Sequence, residues 1–360
     1  MTRNHTVAGP ASGPGTAPTT SPTAAPAAGQ QASPPGNVSQ RVVEEMVAAA
    51  ILAPSMLNTQ PWRFRFEPAS QTIEVYADPA RTLRCADPDG RAVHIACGAA
   101  LLNLRLAAAA AGRLPVSRLI PAVTERLLLA TLRLARPCQA KPDEIELHAA
   151  IPHRRTNRSP FSGRPVAPGI LAELAEAARV EGAAWHVPDS QETSRLLELA
   201  RDAERAQLAD PGYRAELALW AGGARERDGV PDDVTAPRDP RGAAPVRDFT
   251  PARPEPVRYA WFEEQPQLAV LATQSSGRSD WLRAGQALQR VLLTATLRGI
   301  AVSPLTQPLE TPDAWLVRDP GNGFEYPQMI LRIGYGLPVP HSPRRPVTEV
   351  LSIAQADGAD

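Results

Sequence analysis

The chain has 360 residues, of which 43% are hydrophobic, and its 38 basic residues balance its 38 acidic residues. This length suffices for two ordinary domains or one large one, and the balanced charge argues against a nucleic-acid binder driven by global positive charge. The three cysteines and six histidines show no metal-ligand spacing, so the sequence predicts reduced thiols and no metal site. Neither a signal peptide nor a membrane-spanning run is evident, which favours a cytoplasmic protein with no membrane partner.

The first third of the chain changes from low complexity to regular patterning. Residues 1–38 are mostly Pro, Ala, Gly, Ser and Thr, so burial cannot offset their ordering entropy and we predict a disordered tail. Residues 42–52 form an amphipathic helical pattern, and residues 72–77 alternate like a strand. A long apolar helix over residues 94–112 and a buried strand over residues 127–134 follow.

A proline-bracketed turn joins the first helix to the first strand. It spans residues 53–64, and Pro54 and Pro61 fix their own φ and disfavour helix at the residue before them. Between the prolines lie polar side chains that could bind a flat ligand rich in heteroatoms, namely Ser55, Asn58 and Gln60. The alternative is an ordinary polar turn that ends where Trp62 enters the core.

The second half contains a similar series of elements and one long irregular segment. We predict helices over residues 168–180, 194–208 and 281–299, and strands over residues 267–273 and 329–334. Residues 222–258 are rich in Gly, Pro, Asp and Arg and are too many for an ordinary connection. This segment is therefore predicted to be either disordered or a loop that covers another part of the molecule.

A basic run lies in the middle of the chain. Arg154, Arg155 and Arg158 place three guanidinium groups within five residues, together with the hydroxyl of Thr156. Guanidinium groups bind phosphate bidentately and stay charged, so the run is a candidate phosphate site. A solvated basic face is the alternative.

The two long helices share a spacing of small and apolar residues. At one constant offset, Gly98, Leu101, Leu104, Ala108 and Gly112 align with Gly285, Leu288, Val291, Ala295 and Gly299. This repeat favours two copies of one α+β unit, which could build within one chain the interface that a homodimer builds from two.

The turn and the basic run carry a resemblance to a known family. The turn resembles the P-S-x-x-N-x-Q-P-W pattern of the nitroreductase-like flavin mononucleotide (FMN) oxidoreductases, and the similarity extends over about residues 40–350. It is greatest to the fused, Acg-type branch of actinobacteria. The resemblance implies an α+β nitroreductase-like fold, with two tandem copies of a mostly antiparallel sheet flanked by long helices and packed as an intramolecular pseudo-dimer.

The same resemblance implies which residues bind the cofactor. The turn would lie against the flavin ring through Pro54, Ser55, Met56 and Asn58. Arg154, Arg155, Thr156 and Arg158 resemble the family's R-x-S-x-R element, with Thr156 in the serine position. Arg154 would meet the phosphate, Thr156 the phosphate or ribityl chain, and Arg158 the pyrimidine edge of the ring as electrostatic support. One of Arg344 and Arg345 would complete the phosphate pocket.

A third element follows the second long helix. Ser303, Pro304 and Leu305 occupy the loop whose backbone amide faces flavin N5 in the family, and Pro304 and Leu305 matter there for their backbone. The acidic residue that many nitroreductases carry in this loop is absent, and Thr306 and Gln307 stand nearby.

The two halves are expected to be complementary. We place the first at residues 39–150, and the second at residues 151–350 with a lid-like insertion at 222–258, followed by a disordered tail at 351–360. Only the first half has the turn, since residues 217–222 hold the comparable place in the second, and only the second has the arginine run. One flavin site per chain is therefore predicted, in a monomer that is a fused pseudo-dimer or in a homodimer of such chains.

The function implied is hydride transfer from NAD(P)H through FMN to a small-molecule acceptor of the nitroaromatic or quinone type. The alternative is an FMN storage or sequestration protein in which the insertion occludes the flavin and little reductase activity remains. A helical scaffold without ligand is a third possibility, and it leaves the turn and the arginine run unexplained.

Overall fold

The structure is a computed structural model that describes residues 37–241, 246–249, 258–311 and 326–355. In these residues the helices are α1 (Gln40–Ala50), α2 (Arg91–Ala110), α3 (Pro142–Ala150), α4 (Pro168–Val180), α5 (Ser190–Ala209), α6 (Pro211–Trp220), α7 (Arg278–Leu297) and α8 (Val347–Val350). The strands are β1 (Trp62–Glu67), β2 (Thr72–Ala77), β3 (Arg113–Leu119), β4 (Leu128–Pro137), β5 (Ala184–His186), β6 (Gln267–Thr273), β7 (Ala301–Pro304), β8 (Tyr326–Gly334) and β9 (Leu351–Ile353).

The strands form two separate sheets. The first has the order β3-β4-β2-β1-β9 and the second the order β5-β6-β8-β7. All of their pairings are antiparallel except that of β1 with β9. The predicted α+β class, with mostly antiparallel sheets and long helices, is confirmed.

The two long helices α2 and α7 pack against each other at the centre of the molecule. A Cβ on Gly98 would lie 2.2 Å from the carbonyl oxygen of Leu282, and a Cβ on Gly285 would lie 2.0 Å from that of Ile95. Both positions therefore require glycine, because any side chain would force the helices apart. The sequence offset from Ile95 to Leu282 equals the offset from Gly98 to Gly285. Each helix therefore makes the same glycine-to-carbonyl contact with the other, as two copies related by a two-fold axis would.

The long apolar helix α2 is buried in the core of the protein. Residues Arg91–Ala110 are long and apolar enough to cross a membrane, yet 89% of the most apolar window is buried. The helix packs on the first sheet through one core cluster, while α7 packs on the second sheet through another. The helix is thus the core element of its half.

Several boundaries differ from the sequence predictions. The strands β1 and β3 were not expected, and β9 lies in the segment predicted as a C-terminal tail. Leu351–Ile353 pairs with Phe64–Phe66, and the amide of Ala354 donates to Phe66 O at 2.8 Å, because β1 otherwise has an unpaired edge. Residues 356–360 and residues 1–36 of the predicted disordered tails lie outside the described residues.

Candidate functional site

A cavity of about 540 Å³ lies between the two halves of the chain. Its walls come from the turn after α1, from the N-terminal part of α2, from α7, and from the β7 strand. Of the residues predicted from the sequence, it is lined by Pro54, Ser55, Met56, Thr156, Arg158, Ser303 and Pro304. Residues from segments far apart in the sequence therefore meet around one cavity.

The turn that carries Ser55 and Met56 has a strained backbone. Leu57, Asn58 and Gln60 all have positive φ, at 48°, 54° and 52°. Each such residue costs of order 1–3 kcal/mol and persists only where the surroundings hold it. Ser55 Oγ accepts from the amide of Gln60 at 2.9 Å, which closes the turn on itself.

Asn58 faces away from the cavity, in contrast to the role implied by the resemblance. Its Nδ2 donates to Gly229 O at 2.8 Å and to Pro343 O at 3.1 Å, and its Oδ1 accepts from Arg344 at 3.0 Å. The side chain is buried, and its polar atoms are committed to these protein partners. Asn58 therefore supports the turn from behind.

Arg154, which is buried, and Arg344, which is half-buried, form a cationic cluster that is not part of the cavity wall. The cluster is close to the wall, because Arg344 donates to the carbonyl oxygen of Ala53, the neighbour of the wall residue Pro54, at 3.2 Å. Both arginines donate to the carbonyl oxygen of Leu52, at 3.4 Å and 3.3 Å, so the two guanidinium groups are adjacent. Burial, together with Arg344, Arg155 and Arg158, lowers the pKa of Arg154 to about 9, and burial with Arg155 lowers that of Arg344 to about 10. Both groups stay charged at neutral pH.

The cluster has unsatisfied donors. Nε and Nη1 of Arg154 and Nε of Arg344 are buried and, among the described residues, have no hydrogen-bond partner. The nearby Arg155 donates to Pro152 O at 2.7 Å and to Arg154 O at 2.9 Å and so has protein acceptors. Unpaired buried charge is costly, so the cluster is suited to an anion with several acceptor oxygens.

The two arginines of the C-terminal pair have different surroundings. Arg345 lies 3.7 Å from Asp78 and 3.4 Å from Glu349, and it also donates to the carbonyl oxygen of Gln60. It is thus neutralised by carboxylates, whereas Arg344 joins the cluster. Of the pair, the geometry favours Arg344 for contact with an anion.

The β7 loop differs in one respect from the role expected for it. Ser303 Oγ is buried without a partner in the part of the chain that the structure describes, and Ser303 lines the cavity. Leu305 is buried outside the cavity wall, and its amide donates to Ile330 O at 2.8 Å. Because that amide is already used, it cannot be the one that faces a ligand.

Arg158 lies under the described part of the long insertion. Its guanidinium is 5.4 Å from the ring centroid of Phe249, and it donates to Val234 O at 3.3 Å. Burial and the nearby Arg247 lower its pKa to about 10. Arg158 therefore brings a desolvated positive charge to the cavity wall.

Part of the insertion covers the cavity. Val246, Arg247 and Phe249 line it, and Arg247 forms a buried ion pair with Glu310 at 2.6 Å. The amide of Asp248 donates to Glu204 at 2.8 Å. Among the predicted alternatives for residues 222–258, the described residues thus match a covering loop.

Sequence reasoning missed several polar and aromatic cavity residues, among them Asp87, Arg91, Trp281 and Glu310. Asp87 accepts from the amides of Ala92 and Val93 at 2.9 Å and 3.0 Å, and burial raises its pKa to about 6. An Asp shortly before an apolar helix is a capping signal, and this signal could have indicated Asp87 from the sequence. Glu310 supplies an acidic residue just beyond the loop where none was expected.

Comparison with known proteins agrees with this architecture. The model of the Nitroreductase family matches residues 151–335, just over half of the chain. A Mycobacterium tuberculosis protein provisionally named NAD(P)H nitroreductase is 35% identical over 317 residues, which cover 86% of this chain and 90% of the relative. Another from that species, provisionally named NAD(P)H nitroreductase acg, is 31% identical over 89% of this chain and 98% of its own length.

Solved structures give a more distant match. The FMN-dependent nitroreductase NfnB from Mycobacterium smegmatis, in complex with NADPH, is 17% identical with a TM-score of 0.33, over 58% of this chain and 98% of its own. The family model matches more than half of this chain, and each of the two curated relatives is matched along most of its length. This chain therefore belongs to the nitroreductase family.

Proposed function

We propose that this protein is a cytoplasmic, FMN-dependent oxidoreductase that uses NAD(P)H to reduce a small-molecule acceptor of the nitroaromatic or quinone type. The observation that carries the proposal is the Arg154–Arg344 cluster, whose buried guanidinium nitrogens lack acceptors in the described chain. Through Arg344 and Ala53 the cluster adjoins the Pro54 wall of the cavity of about 540 Å³. A phosphate would supply those acceptors, and the cavity offers space for a flat ring system. Family membership and the names of the relatives support the same assignment.

Each part of the site has a distinct task in this proposal. Arg154 and Arg344 hold the phosphate, and the hydroxyl of Thr156 adds a hydrogen bond. Pro54, Ser55 and Met56 form one wall, and Ser303 and Pro304 form another.

When bound, FMN supplies the redox chemistry, because its ring accepts a hydride from reduced nicotinamide and passes reducing equivalents to an acceptor. The protein's contribution is electrostatic. Arg158 places a desolvated positive charge in the wall, where it stabilises negative charge on a bound ring. The segment Val246–Phe249 excludes water from the cavity.

The proposal predicts a spectroscopic result for the purified, FMN-loaded protein under anaerobic conditions. Addition of one equivalent of NADH or NADPH should bleach the visible flavin absorbance, and a quinone or nitroaromatic should restore it. Dithionite, which is much smaller than a nicotinamide dinucleotide, serves as the control for a reducible flavin. Protein that cannot be loaded with FMN would contradict the proposal.

Sequestration of FMN is the second candidate, and the covering segment favours it. If Val246–Phe249 bars the dinucleotide, dithionite will bleach the flavin whereas NADH and NADPH will not. A variant with both Arg247→Leu and Glu310→Gln tests the cover without leaving one buried charge unpaired. A gain of NAD(P)H oxidation in this variant would favour occlusion over a working reductase.

A further inference from the structure

The strained turn of residues 57–60 needs external support. Its three left-handed residues are not glycines, so the backbone alone does not favour this conformation. The carbonyl of Thr59 accepts from Arg81 at 2.8 Å, and further support comes from the side chains of Asn58 and Gln60. Both of these side chains are buried.

Asn58 connects the turn to two segments from the second half of the chain. It donates to Gly229 O in the long insertion and to Pro343 O in the segment before α8, and it accepts from Arg344. Its backbone carbonyl also accepts from the amide of Gly229 at 3.2 Å.

Gln60 makes the same pair of connections. Its Nε2 donates to Arg227 O at 2.7 Å, and its Oε1 accepts from the amide of Arg345 at 2.9 Å. Each carboxamide therefore donates to the insertion, and each accepts a hydrogen bond from the Arg344–Arg345 pair. Neither side chain lines the cavity, and both use their polar atoms in these contacts with the protein.

We propose that Asn58 and Gln60 are positioning residues for the Pro54–Met56 wall of the cavity. Their hydrogen bonds fasten the turn to two segments, Arg227–Gly229 and Pro343–Arg345, and so keep the wall in its shape. The insertion then has two separate tasks. Arg227–Gly229 is part of the support of the binding wall, and only Val246–Phe249 is a cover. Removal of the whole insertion would therefore damage the site as well as open it.

The fastening is tested by amide hydrogen exchange on the cofactor-free full chain, which makes this test independent of the proposed function. In Gln60→Ala, exchange at the Arg345 amide should rise by roughly tenfold or more, since that amide loses its acceptor, Gln60 Oε1. In Asn58→Ala the Gly229 amide keeps its acceptor, the backbone carbonyl of Asn58, but its exchange should also rise, because the buried bond from Asn58 Nδ2 to Gly229 O no longer holds the insertion against the turn. Exchange in α2 and α7 should stay as in the wild type. Unchanged exchange at both amides would overturn the proposal.

The matched control is Gln71→Ala. Gln71 also has a positive φ, of 53°, and its side chain also bonds to backbone groups, at Val38 N and Pro68 O. It lies in the β1–β2 hairpin, so its loss should leave Gly229 and Arg345 protected. Faster exchange at those two amides in Gln71→Ala would mean a general loosening and would overturn the proposal.

Two further variants separate fastening from backbone strain. Asn58→Gly relieves the strain of a positive φ and should still fold, but it removes the side chain and should match Asn58→Ala in exchange at Gly229. If exchange in Asn58→Gly equals that of the wild type, the side chain of Asn58 does not hold the insertion, and Asn58 is there only because it accepts a positive φ. That result would contradict the proposal. Gln60→Glu keeps the acceptor for the Arg345 amide and loses the donor to Arg227 O. Amide exchange should therefore rise in the insertion at residues 227–229 and stay at the wild-type rate at Arg345.

The consequence for ligand binding rests on the proposed function. FMN affinity should fall about tenfold in Asn58→Gly and Gln60→Ala and stay unchanged in Gln71→Ala. Faster exchange without any FMN binding by the wild type would contradict the proposed function and leave the fastening supported. Changed exchange with wild-type FMN affinity would overturn the positioning role.

Discussion

Arg154 combines three properties that a surface arginine does not have: it is buried, it lies beside other guanidinium groups, and two of its nitrogens have no acceptor in the described chain. Without an anion these properties cost stability, because like charges repel and unpaired donors are desolvated. An anion with several oxygens removes both costs at once. The cluster should therefore distinguish ligands by whether they carry a phosphate.

We expect the wild-type protein to bind FMN much more tightly than riboflavin, which has the same ring and no phosphate. Arg154→Ala should weaken FMN binding by roughly 10- to 100-fold, the value of one or two charge-assisted hydrogen bonds, with little change for riboflavin. Titration calorimetry measures both affinities. Arg41→Ala, at an exposed arginine of α1, is the charge-matched control. Equal losses for the two ligands would contradict a phosphate role.

At this scale the sequence predicted some site residues and could not separate others. The pattern of the turn and of the arginine run placed Ser55, Met56, Thr156 and Arg158 on the cavity wall. It could not separate Arg344 from Arg345, because their different surroundings come from Leu52 and Asp78, far away in the chain. The same holds for Asn58, whose partners lie in two segments of the second half.

At the scale of elements, the crossing of α2 and α7 is what joins the two halves. Gly98 and Gly285 bring the helices so close that a Cβ on either would meet a carbonyl oxygen of the other helix. Buried polar residues add to the contact, since Gln289 Nε2 donates to Asn103 Oδ1 at 2.8 Å. The cavity depends on this crossing, because both helices line it.

Gly98→Ala and Gly285→Ala should each destabilise the protein by roughly 3 kcal/mol or more, at the upper end of the range for overpacking. The clash is with backbone, which cannot rotate away. The measurement is urea unfolding followed by circular dichroism. Gly169→Ala, in helix α4 with open space around the new methyl group, should leave stability unchanged or slightly raised. Wild-type stability in both crossing variants would contradict the close approach.

Elements with a clear hydrophobic pattern in the sequence were predictable. Strands that exist mainly through pairing with another strand were not. The bounds of β2, β6 and α4 agree with the predicted ranges, because β2 alternates, α4 has helical periodicity and β6 is a short continuous apolar run. The edge strand β3 has no fully buried residue and contains Pro115, so no alternation marks it. Strand β9 spans three residues and exists by pairing with β1, which sequence patterns near residue 351 do not reveal.

Across the whole molecule the fold is pseudo-symmetric, whereas the candidate site is asymmetric. The crossing helices and the two sheets repeat, but the turn occurs in the first half and the arginine run in the second. The segment comparable to the turn, residues 217–222, instead contributes Leu217 and Ala221 to the apolar cluster around Leu57. We therefore expect the chain to hold one cofactor where two related sites would be possible.

The number of FMN molecules bound per chain shows whether the protein has a single asymmetric site. Apoprotein should be titrated with FMN by calorimetry, with the protein concentration fixed by amino-acid analysis and Arg154→Ala run in parallel. We expect one FMN per chain in the wild type and greatly weakened binding in the variant. Two FMN per chain would contradict the single asymmetric site, and no binding would contradict the assignment of the cavity to a flavin.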